Sequence, residues 1–321
     1  MDLTLLYENM TNPALLFFLL GIVAVSLKSD LEIPKTSSNF ISLYLLFSIG
    51  FRGGQELAHS HISAEVIATV VAGVVSALAI PILSFFILKK KLGGQNAGAI
   101  AAAYGSVSAV TFVTTVSYLE VQSMTFGGHM IAVMAMMEAP SIIMGLLLVS
   151  IFCRDEEVQF SIGKITKHAL ASGSVLLILG SLIIGFIATD KQAEGIRPFT
   201  TELFKGFLAI FLLDMGITSG KKLNGFWKNG WTPLLFSIFT PIINGSIMAA
   251  VSTYFVSSEG DRLLLSILAA GASYIAVPAA MRISLPKANP GLYIPMALAI
   301  TFPVNITIGI PIYHYIINAI H

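Results

Sequence analysis

Two short segments carry the residue types best suited to hold a charged solute, Tyr104-Gly105-Ser106-Val107-Ser108 and Gly271-Ala272-Ser273-Tyr274. Each sits near the middle of a long apolar run. Glycine tolerates the backbone change that breaks a helix, and serine is a favoured N-cap whose oxygen accepts from amides of the next turn. A half-helix beginning at each serine would aim unpaired N–H groups and a positive dipole end at the membrane midplane. Such an end binds an anion without lysine or arginine. The small residues could instead serve close helix packing, as in small-xxx-small contacts. One such segment would favour that packing role, and two at equivalent positions favour a site.

Oxygen chemistry suited to a cation follows each segment. Pro140 and Pro303 lack an N–H, so they release the carbonyls of Met136 and Ala299. In hydrocarbon those carbonyls need a partner, and a sodium ion is a suitable one. Glu138 lies between Met136 and Pro140, Thr301 and Asn305 flank the second proline, and Thr111 follows the first break by one turn. A carboxylate within a membrane is costly and marks function, although a protonated, hydrogen-bonded Glu138 would be structural. Asp214 lies near the end of a later run, where interfacial and gating roles are equally open.

The elements that must position these groups are membrane helices. The chain has 321 residues, 55% hydrophobic and only 11% charged, with a mean hydropathy of +0.85. Soluble domains carry about 25% charged residues. A net charge of +1 excludes the concentrated basic surface that binds nucleic acid. The single cysteine, Cys153, has no partner for an internal disulfide and no metal-ligand neighbours. Apolar runs cover 13–28, 39–51, 64–88, 94–118, 129–152, 172–189, 200–218, 232–256, 261–283 and 291–317. A bilayer core of about 30 Å needs about 20 residues per helix, so the short second run is expected to extend through Gly53 and Gly54. The acidic start, with Asp2 and Glu8, is the wrong flank for a signal peptide.

Orientation follows from lysine and arginine. Of 18 such residues, 13 fall in one set of alternate loops, including Lys28, Lys35, Lys89, Lys90, Lys91, Lys221 and Lys222. The opposite set, with both termini, holds only Arg52, Lys191, Arg197, Lys205 and Arg262. Both termini are therefore expected outside the cytoplasm, in an inner or plasma membrane.

An internal repeat organises the spans. Phe47-Ser-Ile-Gly50-Phe-Arg-Gly-Gly54-Gln-Glu-Leu57 matches Leu213-Asp-Met-Gly216-Ile-Thr-Ser-Gly220-Lys-Lys-Leu223. Ala102-Ala-Tyr-Gly-Ser106-Val-Ser-Ala109-Val110 matches Ala269-Ala-Gly-Ala-Ser273-Tyr-Ile-Ala276-Val277, and Met134-Ala135 with Pro140 falls against Met296-Ala297 with Pro303. Copies of five spans, an odd number, must enter the bilayer from opposite faces. The expected fold is thus all-α integral membrane: ten transmembrane helices as a 5+5 inverted repeat with broken, crossing helices 4 and 9. Residues 1–152 form the first copy, 153–171 a short cytoplasmic linker and 172–321 the second. Inverted repeats with broken helices are a recurring transporter design; a duplication kept only for packing is the alternative.

The chain resembles the sodium-dependent bicarbonate transporters first recognised in cyanobacteria, over nearly its whole length. The resemblance is carried by Gly105-Ser-Val-Ser108 followed by Thr114-Thr115 and Leu119-Glu120, by Met137-Glu138-Ala-Pro140 and by Leu213-Asp-Met-Gly216. It implies a mobile core of spans 3–5 and 8–10, a gate domain of spans 1, 2, 6 and 7 that trimerises, and a small anion, bicarbonate, bound with Na+ beside it. Carried over, Gly105, Ser106, Val107 and Ser108 with Ala272 and Ser273 would hold the anion. The family has Asp where this chain has Glu138. Its cyanobacterial members carry a longer linker and bind a PII-like regulator there; the short linker here argues against such docking.

Other classes fit less well. An intramembrane hydrolase needs a base beside its serine, and no G-x-S-x-G elbow surrounds Ser106 or Ser273. His59, His61, His129, His168, His314 and His321 all lie at or beyond run ends, which also opposes a histidine metal site. A passive channel would show a polar stripe along several spans, and none is present. Sodium-coupled transport of a small organic carboxylate is the main rival, since helix dipoles favour any compact anion.

Overall fold

The computed structural model describes residues 12–59, 63–153, 173–226 and 230–320. Apart from Cys153, the expected linker lies outside the described residues, as do Asp2, Glu8, His61, Arg154, Lys164, Lys167, His168, Lys228 and His321. All regular structure among the described residues is helical. In chain order the helices are α1 (Pro13–Ser26), α2 (Lys35–Ala58), α3 (Ala64–Leu92), α4 (Gly94–Gly105), α5 (Ala109–Val121), α6 (His129–Phe152) and α7 (Gly173–Ile187). They continue with α8 (Asp190–Arg197), α9 (Phe204–Phe226), α10 (Trp231–Ser252), α11 (Glu259–Ala270), α12 (Ala276–Ser284) and α13 (Pro290–Ala319).

Among the described residues, six helical stretches are long and apolar enough to cross a membrane: Ala64–Leu92, Gly94–Val121, His129–Phe152, Asp190–Leu223, Trp231–Ser252 and Pro290–Ala319. Within the first of these, α3 shows how the sequence sets its ends. Ser63 caps it, accepting from the N–H of Val66 at 3.3 Å. Glu65 sits at the positive end and Lys89, Lys90 and Lys91 at the negative end, each sign favourable to the dipole. Gly93, at φ +82°, stops the helix in a conformation costly for other residues. The short second apolar run does extend, as α2, through Gly53 and Gly54 to 24 residues. Large apolar side chains such as Leu20, Ile184 and Phe239 are exposed on outer faces, the arrangement a lipid solvent requires rather than water.

Packing sorts the helices into two sets. In the first, α2 lies along α7, α1 lies along α9, and α9 meets α2. Glycines allow these approaches. A Cβ on Gly50 would stand 2.6 Å from the Ile178 carbonyl oxygen, and one on Gly216 would stand 3.1 Å from the Gly21 Cα. These two glycines occupy matching places in the sequence repeat. Their contacts match as well, since Gly50 of α2 meets α7 and Gly216 of α9 meets α1. In the second set α3 packs on α4 and α6, and α10 on α11 and α13. Two buried apolar clusters join these elements. Gln95 and Asn96 at the start of α4 accept from the N–H groups of Lys287 and Asn289, at 2.9 and 2.8 Å, tying the turn after α12 to the opposite half.

α13 is irregular in a sequence-determined way. It widens into π-helical turns at Met296–Thr301 and Asn305–Gly309, on either side of Pro303. A proline cannot complete the normal ladder, and single widened turns recur at functional sites.

Candidate functional site

Both central breaks are present. α4 ends at Gly105, Ser106 is extended, and α5 restarts at Ala109 with Ser108 as its cap, accepting from the Thr111 N–H at 3.2 Å. α11 ends at Ala270, Gly271 is extended, and α12 restarts at Ala276. There the preceding residue, Ile275, makes no side-chain cap, while the Ser273 hydroxyl accepts from the Val277 N–H at 3.4 Å. Each half-helix thus begins three residues after Ser106 or Ser273 rather than at the serine itself. The two breaks touch: the Ser273 N–H donates to the Ala103 carbonyl at 2.8 Å, and a Cβ on Gly271 would stand 3.2 Å from the Ser108 nitrogen.

A cavity of about 60 Å³ opens beside this crossing. Val107, Ser108, Ala109 and Val110 line it from the first break, Ser273, Tyr274 and Ile275 from the second, and Met134, Ala135 and Glu138 from α6. Ser42, Leu45, Leu46, Val175, Ile178 and Phe211 close it from α2, α7 and α9. One water occupies on the order of 10–15 Å³ by this measure, so the space suits a compact ion with a few waters. The N–H groups of Ala109 and Val110 open α5 and have no intrahelical acceptor, which puts two free donors on the wall. Tyr274 lines the same wall, its hydroxyl 3.9 Å from the Met215 sulfur.

Not every candidate reaches the wall. Gly105, Ser106 and Ala272 are buried behind it. Gly105 lies against Pro81 of α3, where a Cβ would also fall 2.7 Å from the Ser141 oxygen. The cation candidates divide too. Glu138 Oε1 and Thr111 Oγ1 are buried without a hydrogen-bond partner, and so is Ser106 Oγ. Thr301 is committed elsewhere: it accepts from Tyr104 at 2.7 Å and donates to the Ser237 carbonyl at 2.8 Å. The Asn305 amide donates to the Ala270 carbonyl at 2.8 Å and accepts from Tyr313 at 3.1 Å. Asn305 thereby caps the end of α11 at the second break. The Met136 side chain is half exposed on the outer face, and Ala299 is buried in the first widened turn of α13.

Beyond the cavity lies a vestibule of about 790 Å³, walled by Glu32, Lys35, Ser38, Asp214, Thr218, Lys221 and Lys222 among others. It shares Ser42, Phe211, Tyr274 and Ile275 with the inner cavity, so those four side chains form the partition between them. Asp214 accepts from the Ser38 hydroxyl on this wall. Sequence reasoning missed Ser42 and Phe211. They come from helices whose apolar pattern reads only as lipid or packing surface.

Helical throughout its described residues, with long apolar helices and an ion-sized cavity whose mostly apolar wall carries a few polar groups between two helix breaks, the chain has the build of a membrane protein. Its sequence matches the family model described as the Na+-dependent bicarbonate transporter superfamily over residues 13–318, and the chain belongs to that superfamily. This is a family of transporters and not of enzymes. A comparison with curated proteins gave no match.

Proposed function

We propose that this protein is a sodium-coupled symporter of a small anion, bicarbonate by its family, working by alternating access in the cell's inner or plasma membrane. The observation that carries the reading is the contact of two helix breaks at one ion-sized cavity, where free N–H groups of α5, the Ser108 hydroxyl and the Tyr274 hydroxyl meet. The anion would sit on these donors, with Val107 and Ser273 beside it. Glu138 Oε1, Thr111 Oγ1 and Ser106 Oγ are buried oxygens without partners. Leaving such groups unpaired is costly, and a sodium ion held at Glu138, the one of the three that lines the cavity, would offset that cost there. Opposite charges so near in a low-dielectric site attract strongly, and each ion would raise the other's affinity reciprocally. That mutual gain is the coupling.

The ten-span inverted repeat is part of the same proposal, supported by the matching breaks and the matching glycine contacts. The set α1, α2, α7 and α9 would be the gate domain, the remaining long helices the mobile core, and a homotrimer the assembly the family suggests. Both termini would face the exterior, as the lysine and arginine bias supports. The test is uptake of labelled bicarbonate into liposomes holding the purified protein, with and without an inward sodium gradient. Bicarbonate uptake driven by sodium and not by choline is expected. Uptake of small organic carboxylates in its place would replace the substrate and keep the site, and equal uptake without sodium would remove the coupling.

A further inference from the structure

One ion cluster lies far from the cavity yet belongs to a helix that begins there. α5 starts at the crossing with Ala109 and ends near Glu120. Eleven steps at about 1.5 Å carry that carboxylate roughly 16 Å away. Glu120 lies 2.6 Å from the Arg52 guanidinium of α2 and 3.5 Å from the Lys205 ammonium of α9. Arg52 also stands 5.9 Å from the ring centre of Phe204, the buried first residue of α9. The side chains of Arg52 and Glu120 are only 28% and 21% exposed, so the pair is shielded more than an ordinary surface contact.

The position of the cluster gives it meaning. On α2 the vestibule residue Lys35 and the cluster residue Arg52 are 17 residues apart, about 25 Å along the helix. On α9, Lys221 and Lys205 are 16 residues apart, in the opposite chain direction. The cluster therefore lies at the end of α2 and α9 remote from the vestibule, and joins both of them to the half-helix that lines the cavity. We propose that Glu120, Arg52 and Lys205 form a latch that holds the anion site shut on the side away from the vestibule. The inference rests on the alternating-access reading above. Moving α5 relative to α2 and α9, as opening on that side requires, must part these ions. The opened latch would leave two cations beside one carboxylate at the mouth through which an anion arrives.

The experiment uses the full chain in liposomes, with Cys153→Ser removing the native thiol. Val113→Cys, on the α5 wall of the cavity, reports the cavity and Thr218→Cys the vestibule, each read as the rate of labelling by a membrane-impermeant thiosulfonate from either side. Glu120→Gln and Arg52→Gln are expected to raise labelling of Val113→Cys from the latch side about tenfold and to slow labelling of Thr218→Cys. Lys205→Gln, at a longer distance and more exposed, should give a smaller change. Arg52→Lys should restore most of the original pattern, as a merely bulky contact would not. In a second measurement Arg52→Cys combined with Glu120→Cys, bridged by a short bifunctional thiosulfonate that spans the length of the lost side chains, should stop uptake and recover with reductant. Unchanged labelling in both Gln variants, or full uptake in the crosslinked protein, overturns the latch. Labelling requires no substrate, so failure of bicarbonate to be carried would be read separately.

Discussion

At the first break Ser108 turns its hydroxyl onto the Thr111 N–H, and α5 runs on for 13 residues. At the second, Ile275 provides no cap, and α12 lasts nine residues with Pro278 in its first turn. Proline has no N–H to offer, so the second half-helix presents fewer donors from a shorter dipole. The same imbalance appears one helix later. Glu138 on α6 faces the cavity, whereas Thr301 and Asn305, flanking the matching proline, are spent on internal hydrogen bonds. Under the proposed function, two halves with a common pattern divide the labour. The first half would supply most of the ion chemistry. The second supplies the Tyr274 hydroxyl and the partition toward the vestibule.

The largest expected effect tests the inequality of the two serines. Ser108→Ala removes a helix cap, about 1 kcal/mol, and a hydrogen bond to a poorly hydrated anion, about 1.5–3 kcal/mol. Anion affinity should fall roughly ten- to a hundredfold or more. Ser273→Ala should cost only a fewfold, because its backbone N–H remains on Ala103 and the half-helix beside it is shorter and interrupted by Pro278, which would leave the anion nearer α5. Half-saturation of uptake for both variants checks this, and equal losses would break the comparison.

Next in size is Glu138→Gln. A neutral amide of the same shape still fills the wall but offers the cation no charge. The sodium needed for half-maximal uptake should rise about tenfold, equivalent to roughly 1.4 kcal/mol, while the thermal midpoint changes little. A sodium titration decides it. An unchanged sodium requirement would make Glu138 a structural group and return the cation to the second half.

A smaller loss is expected at the partition. Tyr274→Phe deletes a hydroxyl of the cavity lining that would donate to the anion, and leaves the ring in place. One such hydrogen bond is worth about 0.5–1.5 kcal/mol, so affinity should weaken about two- to tenfold. Loss of all uptake would mean that the second break holds the anion after all.

Much of this arrangement was legible in the sequence. Gly105 and Gly271 announced the breaks, because a helix interior tolerates such clusters poorly, and the lengths of the apolar runs set the helices. What could not be read was direction. Ser106 and Ser273 look like caps, but the half-helix register places Ser108 and Ile275 at that position. Ser106→Leu, which from sequence would plug a site, now inserts bulk into a fully buried place behind the wall, where overpacking costs about 1–3 kcal/mol. The charge pattern hid something similar. Arg52, Arg197 and Lys205 fall on the cation-poor side, and each is paired with a carboxylate. Arg262, also on that side, is buried and bonded to Thr253 and the Ile317 carbonyl. Such exceptions to the bias are better read as structural contacts than as loop charges, but only their three-dimensional partners reveal it.

The smallest effect on transport is expected at Thr301, and it separates site from scaffold. The sequence makes Thr301 the counterpart of the Glu138 region, since both lie two residues before a proline of the repeat. Its hydroxyl nevertheless joins α4 to α10, accepting from Tyr104 and donating to the Ser237 carbonyl, all three groups lying away from the cavity lining. Thr301→Val keeps the shape and removes both bonds, leaving the buried Tyr104 hydroxyl and the Ser237 carbonyl each short of a partner. An unsatisfied buried group costs about 1–3 kcal/mol, which should lower the thermal midpoint measurably. The sodium requirement should stay within about twofold of the original, because less than about 0.4 kcal/mol of cation binding is then at stake. A sodium shift as large as that of Glu138→Gln, with stability unchanged, would show that the second half contributes equally to the cation and that the division of labour is wrong.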